Sequence, residues 1–234
     1  MLASTSLKQA EASLSAAGII SAASEAELLM CHCLEISRGE LATQLVLNAD
    51  LEAPSGFFDL VELRCSRVPL QHITGKAPFR SIELSVGEGV FIPRPETEQV
   101  VQVAIDFLAL LPGEPRALDI GTGSGAIAIS IAKETNAKVT AIELSEAAAE
   151  FARANISALG ANVDLLEGDF MELMGNLPQF DLIISNPPYI PNSMVPLDQE
   201  VRDHDPALAL YGGEDGLDIV RDLVATTKLI LREG

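Results

Sequence analysis

The chain is short of positive charge. Of 234 residues, 15 are Lys or Arg and 34 are Asp or Glu, for a formal net charge of −19. Such a surface repels a phosphate backbone unless basic residues cluster, and no Lys/Arg cluster stands out, so direct nucleic-acid binding is not expected. Long apolar runs are also missing. None approaches the ~20 residues needed to span a bilayer. The start has no charged stretch followed by an apolar one, so neither a signal peptide nor a membrane span is expected, and the cytoplasm is the expected compartment. Cysteine is scarce: Cys31, Cys33 and Cys65 are an odd number at no disulfide-scaffold spacing and read as buried, reduced thiols. Cys31-His32-Cys33 holds ligand-type side chains, but successive residues on a helix diverge by about 100°. The three cannot converge on one ion, and no metal is expected. Apolar residues are plentiful, at 48% of the chain, which is enough for a sizeable core.

Residues 1–75 read as a small all-α domain. Leu7, Ala10, Leu14 and Ala17 share a helical face that Gly18 ends. Ser24 with Glu27 reads as a capping box opening a second helix to about Leu34. A short helix over 40–47 and a fourth carrying Phe57, Leu60, Val61, Arg64 and Val68 follow. Nothing here looks catalytic, so the region reads as a partner-binding, lid or packing module. Pro69 to Gly75 reads as a linker. Residues 76–95 read as a β-hairpin linker: a strand from Phe79 to Val86, a turn at Gly87-Glu88-Gly89 and a return through Val90, Phe91 and Ile92. The loop Pro93-Arg94-Pro95-Glu96-Thr97 is rigid, and by composition alone a connector with a charged tip. The helix after it carries Val100, Ala104, Phe107, Leu108 and Leu111.

Residues 96–234 read as an α/β domain with a parallel sheet. Leu118-Asp119-Ile120 is the end of a buried strand, and Gly121-Thr122-Gly123-Ser124-Gly125 joins it to a helix. Glycines let the backbone approach a ligand, and the helix start offers free N–H groups. Glu143 ends the second strand, about 20 residues on, where an acidic residue commonly holds ribose hydroxyls. The loop does not exclude a diphosphate, but Asp119, Glu143 and Asp169 together favour a cationic nucleoside. Asp169 and Phe170, after the third strand, suit an adenine amino group and ring, or equally a polar turn and a core aromatic. The fourth strand, Phe180 to Ser185, ends in Asn186-Pro187-Pro188-Tyr189. Two prolines make a stiff turn at the carboxyl end of a buried strand, where ligands bind in open α/β sheets. An amide and a flat aromatic face there suit a planar group bearing NH2. The loop around Gly212, Gly213 and Gly216 reads as tight and ordered, with an amphipathic helix after it.

Together these motifs resemble the class I S-adenosylmethionine-dependent methyltransferases and, more narrowly, the release-factor glutamine methyltransferases (HemK/PrmC family). The anchors are Pro69-Leu-Gln-His-Ile-Thr-Gly75, Phe91-Ile-Pro-Arg-Pro-Glu-Thr-Glu98, Leu118-Asp-Ile-Gly-Thr-Gly-Ser-Gly125, Asn186-Pro-Pro-Tyr189 and Asp205-Pro-Ala-Leu-Ala-Leu-Tyr-Gly-Gly-Glu-Asp-Gly216. The resemblance implies a Rossmann-like sheet behind a helical substrate-recognition domain. It implies S-adenosylmethionine as cofactor, held by Asp119, Gly121, Thr122, Gly123, Ser124, Gly125, Glu143, Asp169, Phe170 and Asn186. It implies methyl transfer to the glutamine amide of a Gly-Gly-Gln loop in a peptide-chain release factor. Asn186, Pro187 and Tyr189 would be catalytic, with Pro188, Arg94 and Glu96 joining them in substrate binding. No metal or general base is needed, and the full-length form is expected to be monomeric.

One departure is the end of the chain. The resemblance implies a sheet in strand order 3-2-1-4-5-7-6, of which strands 5, 6 and 7 are not expected within this sequence. An exposed apolar edge, lower stability and a risk of self-association or inactivity are expected. Rival readings are a ribosomal-protein glutamine methyltransferase, a nucleobase-amine methyltransferase acting on a flipped adenine, a nicotinamide-dependent oxidoreductase and an inactive nucleotide-binding fragment.

Overall fold

The structure, a computed structural model, describes residues 1–47 and 50–233. The expected domain end at Gly234 lies outside the described residues. The chain divides into two units, Met1–Gly75 and Lys76–Gly234.

The first unit holds five helices among its described residues: α1 (Ala3–Ala16), α2 (Ala22–Leu34), α3 (Arg38–Leu47), α4 (Phe57–Cys65) and α5 (Leu70–Thr74). Ala10, Leu14, Leu29, Met30 and Phe57 fill its core. The capping-box expectation at Ser24 is wrong. The helix starts three residues earlier because Ala22 and Ala26 are both buried, and its N-cap Ser21 makes no side-chain cap bond. The reciprocal box lies instead at Ser37 and Glu40: Ser37 N–H donates to Glu40 Oε2 (2.8 Å), and Glu40 N–H donates to Ser37 Oγ (3.2 Å). The expected linker at Pro69–Gly75 is largely the short helix α5, closed by Gly75 in the left-handed region (φ +71°). All three thiols are free, and burial pushes each of them up.

The second unit opens with an antiparallel hairpin of β1 (Lys76–Phe79) and β2 (Ile82–Ser85). The expected turn at Gly87–Gly89 is wrong: the chain reverses at Arg80-Ser81, and Val90–Ile92 forms no strand. Arg80 takes φ 51°, which is unfavourable for a side chain with a Cβ. Its bonds offset that cost. Its N–H donates to Glu98 Oε1, and its guanidinium donates to both carboxylate oxygens of Glu134 and to Gln102 Oε1. Next comes α6 (Thr97–Leu108), whose buried face is Val101, Ala104 and Leu108. Val100 and Phe107 point outward.

The sheet then forms from β3 (Arg116–Ile120), β4 (Lys138–Glu143), β5 (Val163–Glu167) and β6 (Leu182–Ser185). All three pairings are parallel, in the order β5-β4-β3-β6. Helices α7 (Ala126–Glu134) and α8 (Glu146–Leu159) connect the first three strands. Ser145 Oγ caps α8, and Gly160 (φ +60°) ends it. Ala117, Ile129, Ile131, Val139 and Ala141 pack one face of the sheet. Leu118, Ile120, Ile142, Phe170 and Phe180 pack the other.

Beyond β5 lie α9 (Phe170–Leu173), α10 (Gln199–His204), α11 (Ala207–Leu210) and α12 (Asp218–Thr227), with a 3-10 turn at Met174–Asn176. Among the described residues β6 is an edge strand of this sheet, as expected, with Leu182 and Ile183 half-buried and Ile184 buried. Past α12, Ile230 and Arg232 bond to Phe180 on that edge: Phe180 N–H donates to the Ile230 carbonyl (2.7 Å) and Arg232 N–H to the Phe180 carbonyl (2.9 Å). No helix among the described residues is long and apolar enough to cross a membrane.

Candidate active site

A cavity of about 460 Å³ opens at the carboxyl ends of β3, β4, β5 and β6. Each strand delivers one part of its wall. β3 ends in Gly121-Thr122-Gly123-Ser124, and β4 ends in Glu143. After β5 come Asp169 and Phe170, and after β6 come Asn186 to Tyr189.

The glycine loop is shaped from behind. Asp119 is fully buried, and its Oδ2 accepts from Thr122 Oγ1 (2.6 Å) and from the Ala128 N–H in the first turn of α7 (3.2 Å). Gly121, Gly123 and Gly125 all take positive φ, which any side chain would resist. A Cβ on Gly123 would meet nothing within 4 Å, so the loop leaves open space on that side. Glu143 braces the loop from β4: Oε2 accepts from the Gly123 N–H (2.7 Å) and Oε1 from the Ser145 N–H (2.8 Å). Asp169 caps α9 through a bond from the Met171 N–H (2.8 Å), and Phe170 is buried against the sheet while still reaching the wall. The reading of a polar turn and a core aromatic therefore describes the pair.

Asn186 stands at the end of β6, next to Ser185, whose Oγ donates to the Ile120 carbonyl (2.6 Å) and locks β6 to β3 at the cavity floor. Among the described residues the Asn186 side chain has no hydrogen-bond partner and is exposed. Tyr189 is 65% exposed at the cavity mouth.

Three expected site residues do not line the cavity. Asp119 acts through the loop, Gly125 starts α7 with Ile129 packed against it, and Glu96 is an exposed residue at the start of α6. Arg94 does line it. Its Nη2 donates to Asp205 (2.6 Å), its guanidinium lies 4.9 Å from the Phe91 ring centroid, and Asp205 is almost wholly buried. Sequence reasoning missed Phe91, Thr97, Leu208 and Tyr211 as wall residues. All four sit in motifs that the resemblance rests on, Phe91 and Thr97 in 91–98 and Leu208 and Tyr211 in 205–216, but none of the four has a local pattern that marks it as a wall residue. Among the described residues no cluster could hold a metal ion.

Two family models match the chain: the PrmC N-terminal domain over residues 5–75 and a methyltransferase domain over 117–202. A release factor glutamine methyltransferase from Streptomyces coelicolor is 47% identical over 97% of this chain and 80% of its own length. One from Mycolicibacterium smegmatis is 44% identical over 98% of this chain and 81% of its own. The chain belongs to the release factor glutamine methyltransferase family. A crystal structure of a methyltransferase from Pyrococcus furiosus is 26% identical over 64% of each chain, with a TM-score of 0.46.

Two predictions arise from the buried carboxylates of this family member. Burial pushes Asp119 up to about 7, partly opposed by its bonds from Thr122 and Ala128, while Glu143 nearby adds to the rise. The folded state therefore holds a proton that the unfolded state releases above its ordinary value near 3.9. Stability must fall as pH rises from about 4 to 7, by up to about 4 kcal/mol from this group. Asp119→Asn is expected to flatten that slope, read as melting temperature against pH; an unchanged slope would contradict it. Asp205 is raised by burial and lowered by Arg94. Because Arg94 keeps some solvent access, Asp205→Ala is expected to cost about 1–2 kcal/mol, a drop of roughly 2–8 °C in melting temperature. No drop would show that the pair is not holding the loop.

Proposed function

We propose that this chain transfers a methyl group from S-adenosylmethionine to the side-chain amide of a glutamine in the Gly-Gly-Gln loop of a peptide-chain release factor. The observation that carries this reading is the partner-free Asn186 amide on a rigid two-proline turn, facing the same cavity as the glycine loop. Family membership narrows the acceptor to glutamine. The cofactor fits the residues present: the open space beside Gly123 would admit its methionine part, Glu143 has lone pairs left for ribose hydroxyls, and Asp169 with Phe170 suits adenine. When bound, it supplies a methyl group already activated by a sulfonium sulfur.

The chain's own residues act on the acceptor. An amide nitrogen is a poor nucleophile because its lone pair is delocalised into the carbonyl. Asn186 Oδ1 and the Pro187 carbonyl would each accept one of its N–H bonds. Two such acceptors favour a pyramidal nitrogen and stabilise the positive charge that develops on it. Tyr189 would lie against the glutamine side chain, and Arg94 would line the approach. The spare proton leaves to water, so no general base is required. The helical unit 1–75 would contact the release factor, and the acidic chain suits a partner with a basic surface. Such a reaction belongs in the cytoplasm and needs no metal.

The test is transfer of a radiolabelled methyl group to three acceptors side by side: a release factor, ribosomal proteins and an adenine-bearing oligonucleotide. Label in the release factor, lost when its Gly-Gly-Gln glutamine is replaced, is the expected result. Label in either rival acceptor instead would overturn the reading.

A further inference from the structure

The segment Tyr211-Gly-Gly-Glu-Asp-Gly216 contributes only Tyr211 to the cavity wall among its tight-loop residues. Its backbone runs directly against the chain that follows Asn186-Pro187. Ile190 N–H donates to the Leu210 carbonyl, Gly212 N–H to the Ile190 carbonyl and Asn192 N–H to the Gly213 carbonyl, each at 2.9 Å. Ile190 and Tyr211 pair as an isolated parallel bridge. The approach leaves no room for side chains. A Cβ on Gly212 would fall 2.5 Å from the Pro188 carbonyl oxygen and 2.6 Å from that of Gly216. A Cβ on Gly216 would fall 2.3 Å from the Tyr189 carbonyl oxygen. Gly216 needs glycine for its φ of +82° as well, but Gly212 has no positive φ, so close contact alone demands glycine there.

The segment is itself pinned. Asp218 N–H donates to the Gly212 carbonyl (2.9 Å). Asp218 Oδ2 accepts from the Glu214 N–H (3.2 Å), and Arg221 bonds both Asp215 and Asp218. Proline fixes φ but leaves ψ free. The two prolines therefore stiffen the turn without setting the direction of their carbonyls, and something else must do so.

We propose that Gly212 and Gly216 are positioning residues for the acceptor: seated on the Pro188 and Tyr189 carbonyls, they fix the turn that presents Asn186 Oδ1 and the Pro187 carbonyl to the glutamine amide. This rests on the reading of Asn186 and Pro187 as the acceptor clamp. Displacing a clamp by a fraction of an ångström harms alignment in the transition state more than it harms binding. The cofactor loop after β3 is separate and stays in place.

The experiment is Gly212→Ala in the whole chain, with S-adenosylhomocysteine titrated by calorimetry and kcat and KM measured on a release factor. The expected result is a fall of about 10–10²-fold in kcat per cofactor-binding site, with Kd for S-adenosylhomocysteine and KM little changed. A purely structural role would lower the number of binding sites and leave kcat per site intact, and that outcome overturns the proposal. Should Gly212→Ala fail to fold, Asp218→Ala loosens the same segment without adding an atom. It is expected to lower kcat per site more modestly, and wild-type kcat there overturns the proposal. Asn186→Ala measured alongside separates the two ideas. Full transfer by Asn186→Ala removes the clamp, whereas loss in Asn186→Ala with wild-type kcat in Gly212→Ala removes the brace alone.

Discussion

Asn186→Ala is expected to lower methyl transfer by about 10²–10³-fold, the typical cost of removing one preorganised contact to developing charge. Cofactor affinity should change far less, because the glycine loop and Glu143 are held by bonds that do not involve Asn186. The fold should be untouched: the side chain is exposed and without an internal partner among the described residues, and Ser185 anchors the strand end to Ile120. Asn186→Gln keeps both halves of the amide but moves them by one methylene, so it should be impaired as well. Single-turnover rates beside calorimetric titration of S-adenosylhomocysteine check this. Equal losses in rate and in cofactor affinity would mean that Asn186 serves the cofactor rather than the acceptor.

The second large effect is at the glycine loop. Gly123 has φ +59°, its N–H is held by Glu143 and its Cβ position faces open space. Valine there would pay about 1–2 kcal/mol for the left-handed backbone and would put a branched side chain where a ligand must pass. The backbone cost falls on the fold, with or without ligand, whereas a steric loss of about 3 kcal/mol on binding corresponds to about 10²-fold in Kd. Gly123→Val is therefore expected to bind S-adenosylhomocysteine about 10²-fold more weakly, with Gly123→Ala intermediate. A Kd near that of the unmodified chain would take the cofactor away from this loop.

The sheet was legible because its signals are local. The apolar runs at 117–120, 139–142 and 182–185 are each followed by a glycine, an acid or a proline pair at the strand end. These same punctuating residues build the cavity, so motif and fold coincide. What failed was decided by contacts across the sequence. The hairpin turns at Arg80 rather than at the glycines because Glu98 and Glu134 reward an unfavourable φ. The outward face of α6 could not be read from the sequence, because Val100 and Phe107 are as apolar as the buried Val101 and Ala104. Helix α10 was passed over, since Gln199–His204 has one apolar residue and shows its start only through Asp198, whose Oδ1 accepts from the Glu200 N–H. Asp205 could not be joined to Arg94 by any pattern, as the two lie 111 residues apart. Asp119 was read as touching the ligand, whereas its burial makes it a support for the loop that does.

The measurement that bears most directly on the account is mass-spectrometric mapping of a release factor after incubation with this chain and S-adenosylmethionine. The account predicts a single added methyl group on the glutamine of the Gly-Gly-Gln loop, absent with Asn186→Ala. A release factor left unmodified by a chain that binds the cofactor, or a methyl group on any other residue, would contradict it.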